Sequence, residues 1–395
     1  MTISQLNFER SSGPSVYHSE TPTPRIEDTQ LTAPFTFILP VGDGKDYQIE
    51  PSEASVSEVV TQLETLSETV EELLTEAVPD DVREEVRQWS AGQGVEDPVA
   101  LAARYTVLNV VVKCTLYEWY QFRGDVPLQR GRLRSAFEAA YSRTENAAFR
   151  ESLFDRIAFH LPGLVAAELT WWRYGVLSMS EPADDLGYVF EALIPSSARG
   201  DQGQFRTPPE ISAFMRELAV QDGDYVLDAG MGAGALSVPR DDSRSTRIFG
   251  VEQSRLGFLL AVSTLALTEQ PGVVHEADFF DCRSSALGMN PDAAVEMAHD
   301  VADVDIIPEE VDVVVGNPPY IANRNLNREA EYYRRHLAAF GDEDSTPYLD
   351  GEKKLSGRSD LFVFFVTHAT QFLSEGGRLV YLLPEKWMET EYGRS

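Results

Sequence analysis

The stretch VVVGNPPYIANRN, residues 313–325, runs three valines into Gly316 and then presents an amide, two prolines and an aromatic ring. That set of groups suits one chemical problem. An exocyclic aromatic amine is a poor nucleophile because its lone pair is delocalised into the ring. Two acceptors aimed at its two hydrogens favour the pyramidal form and push the lone pair toward an incoming methyl group. Asn317 supplies a side-chain oxygen and Pro318 a backbone carbonyl. Pro318 and Pro319 fix the backbone so that both acceptors point one way, which is electrostatic preorganisation. Tyr320 offers a ring on which a base can stack. A single in-line displacement then relies on proximity, with no metal and no covalent intermediate.

The residues need a rigid mount. The valines predict a β-strand covered on both faces, as in a parallel sheet, and Pro318 ends it because proline has no N–H with which to continue. The four residues therefore sit at the carboxyl edge of a sheet, where open α/β folds place their ligands. YVLDAG, RIFGVE, VVHEAD, VDVVVGN and GRLVYLLP are five short β-like runs, each separated from the next by enough chain for a helical crossover. The expected fold class is α/β, a doubly wound Rossmann-like parallel sheet. An acidic insert, residues 284–310, precedes the fourth strand.

The first strand ends at Asp228 and is followed by Gly230, Gly232, Gly234 and an expected helix start. Glycines there make a tight turn and let the backbone approach a ligand closely. No Gly-Lys-Ser/Thr follows, which excludes a phosphate-cradling loop. Glu252 closes the second strand, where an acid can accept both ribose hydroxyls. Asp278 closes the third, where it can accept the exocyclic amine of an adenine, with Phe279 against the ring. Each feature has a plain alternative: a Gly-rich turn can simply turn, Glu252 can cap a helix and Asp278 a loop. Three acids at three successive strand ends fit an adenosine-containing cofactor without phosphates. S-adenosylmethionine meets that description.

Ahead of the sheet, residues 1–54 are rich in Ser, Thr and Pro around one apolar island, FTFILPVG, and read as a mostly irregular arm. Residues 55–198 read as a helical domain. Val59, Leu63, Leu66, Val70 and Leu73 form one stripe, and a buried helix opens at Asp97 with Pro98 in its first position. Trp171 and Trp172 read as core. Residues 199–395 carry the sheet. Cys114 and Cys282 stand alone, so no zinc site or disulfide framework is implied. No uninterrupted apolar run approaches a membrane span and the start has no signal-peptide core; a soluble, cytoplasmic protein is expected.

The chain carries 64 acidic and 33 basic residues, a net charge of −31, and its lysines reduce to Lys45, Lys113, Lys353, Lys354 and Lys386. An acidic, lysine-poor surface resembles proteins of salt-loving archaea, for which the charge says little about partners because molar salt screens it. The other reading is a protein that avoids nucleic acid. Basic residues are scarce enough to be informative: Arg324, Arg328, Arg334 and Arg335 follow the Asn-Pro-Pro-Tyr turn, interleaved with Tyr332 and Tyr333. Phosphate contacts beside a flipped base would use such a cluster; a solvated helix face is the alternative. Asp43-Gly44-Lys45 has the spacing of a nuclease metal-and-lysine element, but no Pro-Asp stands upstream, and it reads as chance.

GQFRTPPEISAFM, DAGMGAGAL, GVEQSR, EADFF, VVGNPPY and DLFVFFVTHATQFLSEGGRLVYLLPEKWM occur in the order found in the gamma group of N6-adenine DNA methyltransferases. DDLGYVFEAL resembles the segment joining the helical domain to the core in Type I modification subunits and Type IIG enzymes. The resemblance covers residues 184–395. It implies site-specific transfer of methyl from S-adenosylmethionine to adenine N6 in double-stranded DNA, in a restriction-modification or phage-defence setting. Residue by residue it implies Thr207 and Pro208 at the cofactor's methionine end, Asp228, Gly230 and Gly232 around it, Glu252 on the ribose, Asp278 and Phe279 on the adenine, and Asn317, Pro318, Pro319 and Tyr320 in catalysis. An RNA adenine, or the glutamine amide of a release factor, poses the same lone-pair problem, and a fragment that binds cofactor without transfer stays open. In the family the fifth strand is followed by a helix, two more strands, a further aromatic and a target-recognition domain. The chain stops at EKWMETEYGRS, so a truncated product, or a separate chain or specificity subunit supplying target recognition, is expected.

Overall fold

The computed structural model describes three short strands between residues 16 and 49 and, with interruptions, residues 55–385. The chain forms two units. One holds residues 1–89, 97–143 and 150–180; the other holds residues 90–96, 144–149 and 181–395.

In the first unit β1 (Val16–His18), β2 (Phe37–Pro40) and β3 (Asp46–Ile49) form an antiparallel sheet in the order β1-β3-β2. Its helices are α1 (Val56–Glu76), α2 (Asp80–Ser90), α3 (Pro98–Arg123), α4 (Leu133–Thr144), α5 (Leu153–Phe159), α6 (Gly163–Trp171) and α7 (Arg173–Leu177). The buried stripe of α1 is Val59, Leu63, Leu66, Val70 and Leu74. Val60 and Ser67 are buried beside it, and at its end Leu74 replaces Leu73 because four residues from Val70 follow the helical period as well as three do. Asp97 caps α3 by accepting from Val99 N at 3.1 Å and Ala100 N at 3.0 Å, and Pro98 follows in the first turn.

By length and composition alone, Pro98–Gln121 is apolar enough to cross a membrane, although 83% of it is buried within the protein. It does not stand out in the sequence as an uninterrupted apolar run, because Arg104, Lys113 and Glu118 interrupt it. It is a core helix, packed by α1, α5, α6 and α7. Its fully buried Lys113 is satisfied by Asp155 Oδ2 at 2.6 Å and by Arg150 O at 2.9 Å, while Asn109 Nδ2 donates to the other Asp155 oxygen at 2.8 Å. Losing either charge of such a buried pair costs about 3–5 kcal/mol, because the other is left uncompensated. Trp172 is buried in the same unit.

The second unit begins with α8 (Pro182–Leu193), α9 (Ser196–Asp201) and α10 (Pro209–Ala219). Then come β4 (Tyr225–Ala229), β5 (Arg247–Glu252), α11 (Arg255–Leu267), β6 (Gly272–Glu276), β7 (Val311–Gly316), α12 (Leu361–Ala369) and β8 (Leu373–Tyr381). The five strands form one parallel sheet in the order β6-β5-β4-β7-β8. This is a doubly wound, Rossmann-like α/β sheet whose order reverses between β4 and β7. Strand alternation sends Leu227, Ala229, Phe249, Val251 and Val314 to one face, under Leu361, Phe364 and Phe365 of α12. Val226, Val313 and Val315 go to the other, under Met215 and Ala219 of α10.

One crossover differs from expectation. Among the described residues no helix follows the Gly-rich turn; a single turn closes from Val238 N to Gly234 O at 3.0 Å, and Pro239 comes next. Proline disfavours helical geometry at the residue before it and brings no N–H to propagate a helix. Few residues remain before β5 starts at Arg247.

Candidate active site

The carboxyl ends of β4 and β7 flank the switch point, where sheets of this order take their ligands. Asn317 leaves β7 directly. Its amide nitrogen donates to Thr207 Oγ1 at 3.0 Å, so an acceptor role at this amide falls to its oxygen. Thr207 is buried immediately before α10, and Pro208 caps that helix with Pro209 in its first turn. The segment after Asn317 is pinned on several sides. Leu382 N donates to Gly316 O, Ile321 N to Pro319 O and Leu361 N to Ile321 O, each at 3.0 Å. Pro318 is buried and Pro319 half-buried. Tyr320 is 38% exposed, and its hydroxyl donates to Leu382 O at 3.1 Å. Partial burial raises the phenol above its usual value, so it stays neutral.

The Gly-rich turn folds over the end of β5. Gly230 N and Met231 N both donate to Val251 O, at 2.8 and 3.0 Å, and Gly230 and Gly232 hold φ of 80° and 56°, values that suit a residue without a side chain. Gly232 N donates to Glu252 Oε2 at 2.9 Å and Ser254 N to Oε1 at 2.8 Å. Burial raises the Glu252 carboxyl, and backbone hydrogen bonds from Ser254, Gly232 and Gln253 oppose that rise. Beside it, Arg255 pairs with Glu276 at 2.7 Å and donates to Ala147 O and Ala148 O at 2.9 Å, fixing the first turn of α11.

Asp228 is fully buried, with no hydrogen-bond partner on either carboxylate oxygen among the described residues. Burial pushes its pKa up to about 7; the neighbouring Ser237 hydroxyl opposes the rise and Glu252 adds to it. Ser237 lies beside the carboxylate, but no hydrogen bond of ordinary geometry joins them. The Tyr381 ring lies across Gly316, where an added Cβ would stand 2.7 Å from Tyr381 Cε1 and 3.1 Å from Ala229 O. Tyr381 is half-buried, and its hydroxyl is buried with no hydrogen-bond partner among the described residues. Desolvation and then the charge of Asp228 hold that phenol well above its usual range.

Asp278 caps the turn Phe279–Asp281 by accepting from Phe280 N at 3.0 Å. The Phe279 ring is buried among Phe280, Phe365, His368 and Phe372, with centroids 4.6–6.3 Å away; it serves the core. The structure thus brings Thr207 onto Asn317 and the Gly-rich turn onto Glu252. Arg324, Arg328, Arg334, Arg335 and Lys45 lie outside the described residues. Sequence reasoning passed over Ser237, Tyr381 and Arg206. Tyr381 sits in an apolar strand run and Ser237 in a turn, and neither type signals a site alone.

Sheet order defines a doubly wound, Rossmann-like α/β fold. Residues 248–395 match the model of a family described as Eco57I restriction-modification methylase. The chain is 31% identical to the Type II methyltransferase M.XhoI of Xanthomonas vasicola over 87 residues, which cover 22% of this chain and 13% of that protein. It is 29% identical to the Type II restriction enzyme and methyltransferase RM.Eco57I of Escherichia coli over 94 residues, 23% of this chain and 8% of that protein. These matches therefore span only a small part of either relative. A solved type I restriction-modification methyltransferase subunit from Streptococcus thermophilus superposes with a TM-score of 0.43 at 18% identity, covering 84% of this chain and 69% of that one.

Proposed function

We propose that this chain is the methyl-transferring part of a site-specific, adenine-specific DNA methyltransferase, working in the cytoplasm in a restriction-modification or phage-defence setting. The observation that carries the reading is the 3.0 Å hydrogen bond from Asn317 to Thr207 at the switch point. It joins the residues read as acceptor turn and cofactor end, and orients the amide with its oxygen as the acceptor.

Asp278 and Asn317 follow the ends of β6 and β7, while Glu252 is the last residue of β5 and Asp228 the penultimate residue of β4; the strands are neighbours in the order β6, β5, β4, β7. With about 4.8 Å between strands, the row spans about 14 Å, enough for an extended ligand with a nucleoside at one end and an amino acid at the other. The residues present fit S-adenosylmethionine: Asp278 for the adenine amine, Glu252 for the ribose hydroxyls, Gly230 and Gly232 for close backbone approach, and Asp228, Thr207 and Pro208 toward the methionine end. Phe279 backs the adenine end from the core. When bound, the cofactor supplies an electrophilic methyl group. Asn317 and the Pro318 carbonyl accept the two hydrogens of a flipped adenine's N6 amine, Pro319 stiffens the turn, and Tyr320 stacks on the base. Arg324, Arg328, Arg334 and Arg335 are assigned to flanking phosphates, and target recognition to a further polypeptide region or a specificity subunit.

The test is Asn317→Ala, assayed with the recognition portion joined or added. Loss of an acceptor needed only as the amine pyramidalises lowers transfer by about 10² or more while cofactor affinity stays nearly intact. DNA, RNA and release factor are offered as acceptors in parallel. Methylation of RNA or of a protein amide in preference to DNA would overturn the substrate assignment, and cofactor binding without transfer to any of the three would mark a binding module.

A further inference from the structure

Arg206 stands immediately before Thr207, and its stem passes close over α8. A Cβ built on Gly187 of α8 would meet Arg206 Cδ at 3.2 Å and Ala233 Cβ, in the Gly-rich turn, at 3.7 Å. Its guanidinium lies 5.8 Å from the ring centroid of Tyr188, itself exposed on α8. Nε donates to Glu191 Oε2 at 3.0 Å, and Arg199 Nη1 donates to the other Glu191 oxygen at 3.3 Å. Two guanidinium groups thus share one carboxylate. Because the bond to Glu191 uses Nε, the Nη groups are the part of Arg206 that can meet a second anion, and the flat guanidinium edge suits a carboxylate bidentately.

We propose that Arg206 is the site's carboxylate anchor, binding the carboxylate at the amino-acid end of the ligand while Thr207 and Asp228 line the same end. The assignment rests on the S-adenosylmethionine reading of the crevice. A carboxylate fits better than a nucleic-acid phosphate because Thr207, next in the chain to Arg206, and Ala233, which like the Arg206 stem lies beside Gly187, both belong to the cofactor side of that crevice. Gly187 acts as a positioning residue: its missing side chain leaves room for the Arg206 stem to pass.

Calorimetry with two probes separates the outcomes. S-adenosylhomocysteine carries the carboxylate; its decarboxylated analogue keeps the ammonium and lacks the carboxylate. Parent protein binds the first more tightly. Arg206→Gln weakens S-adenosylhomocysteine by about tenfold or more, the loss expected when a hydrogen bond between charged groups goes, and leaves the analogue within about twofold, which collapses the ratio. Arg206→Lys restores part of the ratio by keeping the charge without the fork. Gly187→Ala, which favours the helix but crowds the stem, lowers the ratio in the same direction. Equal weakening of both probes by Arg206→Gln would reduce the residue to a structural role. Unchanged affinity for both, with weaker DNA binding, would move it to a phosphate contact. If the parent binds neither probe, the cofactor reading fails and the anchor with it; if the parent binds both and Arg206→Gln leaves the ratio unchanged, only the anchor fails.

Discussion

Burial raises the Asp228 carboxyl from an ordinary 3.8 to about 7. Each unit of such a shift is worth about 1.4 kcal/mol, so the ionised carboxylate destabilises the ligand-free sheet by about 4 kcal/mol. Counting protons gives the sign. Unfolded, Asp228 ionises near pH 4; folded, it keeps its proton to about pH 7. Between those values the folded state holds more protons and stability falls as pH rises; above about 7 the loss is complete, and below about 4 it is absent. Asp228→Asn keeps the shape and removes the titration. The groups facing Asp228 are Glu252 on β5, whose raised carboxyl is common to both proteins, and on β8 Tyr381, which stays neutral; the Ser237 hydroxyl does not titrate. Hydrogen exchange of the β4 and β7 amides, compared between parent and variant from about pH 5 to about pH 8, reads the difference directly. The variant's advantage should grow by about 1.4 kcal/mol per pH unit up to about pH 7 and then level off. A difference that is constant over the range would refute the reasoning, because Asp228 would then be ionised throughout.

Gly316→Ala should lower stability by about 1–3 kcal/mol, the usual cost of overpacking, because the new Cβ must displace the Tyr381 ring or the Ala229 carbonyl; an unchanged thermal midpoint would show that the ring yields freely. Tyr320→Phe should cost at most about 0.5–1.5 kcal/mol for the bond to Leu382 O and keep base stacking. Tyr320→Ala should weaken binding of adenine-containing single strands by about 1–3 kcal/mol, and equal affinity for the two variants would remove the stacking role. If the acidity is a halophilic adaptation, melting midpoints should rise between about 0.1 and about 3 M potassium chloride as repulsion is screened, and a flat midpoint would end that reading.

β4 to β7 were legible because each is a β-branched or aromatic run with punctuation near its carboxyl end, and β5 matches RIFGVE residue for residue; β8 starts four residues before the expected GRLVYLLP, at Leu373, and runs through Ser-Glu-Gly-Gly. The cap of α3 was legible because Asp97-Pro98 is a local signal that needs no tertiary partner. That no crossover helix follows the Gly-rich turn among the described residues was not, since glycine spacing marks a turn without saying whether the short stretch from Pro239 to β5 has room for a helix. At the site, Asn317 and Asp228 could be singled out by strand-end position. Tyr381 and Ser237 could not, because their proximity to Asp228 arises only when β8 pairs with β7 and the Gly-rich turn curls back. Arg206 was visible as part of QFRTPPE, but the path of its stem depends on Gly187, which reads in sequence as a weak point in a helix. That Phe279 faces the core is a result of the packing of α12, for which local sequence has no signal.

Thr207 and Asn317 stand 110 residues apart in the chain and touch at 3.0 Å. Closing a loop of that length costs entropy that only the intervening contacts can offset, and contacts so distant in sequence form slowly. The orientation of the amide is therefore a completion mark. During synthesis from the amino terminus, α10 and β4 emerge long before β7, and Thr207 waits for a partner that has not yet been made. No shorter nascent piece can hold the Asn317 amide in place, so its orientation is withheld until the sheet that supports it has closed.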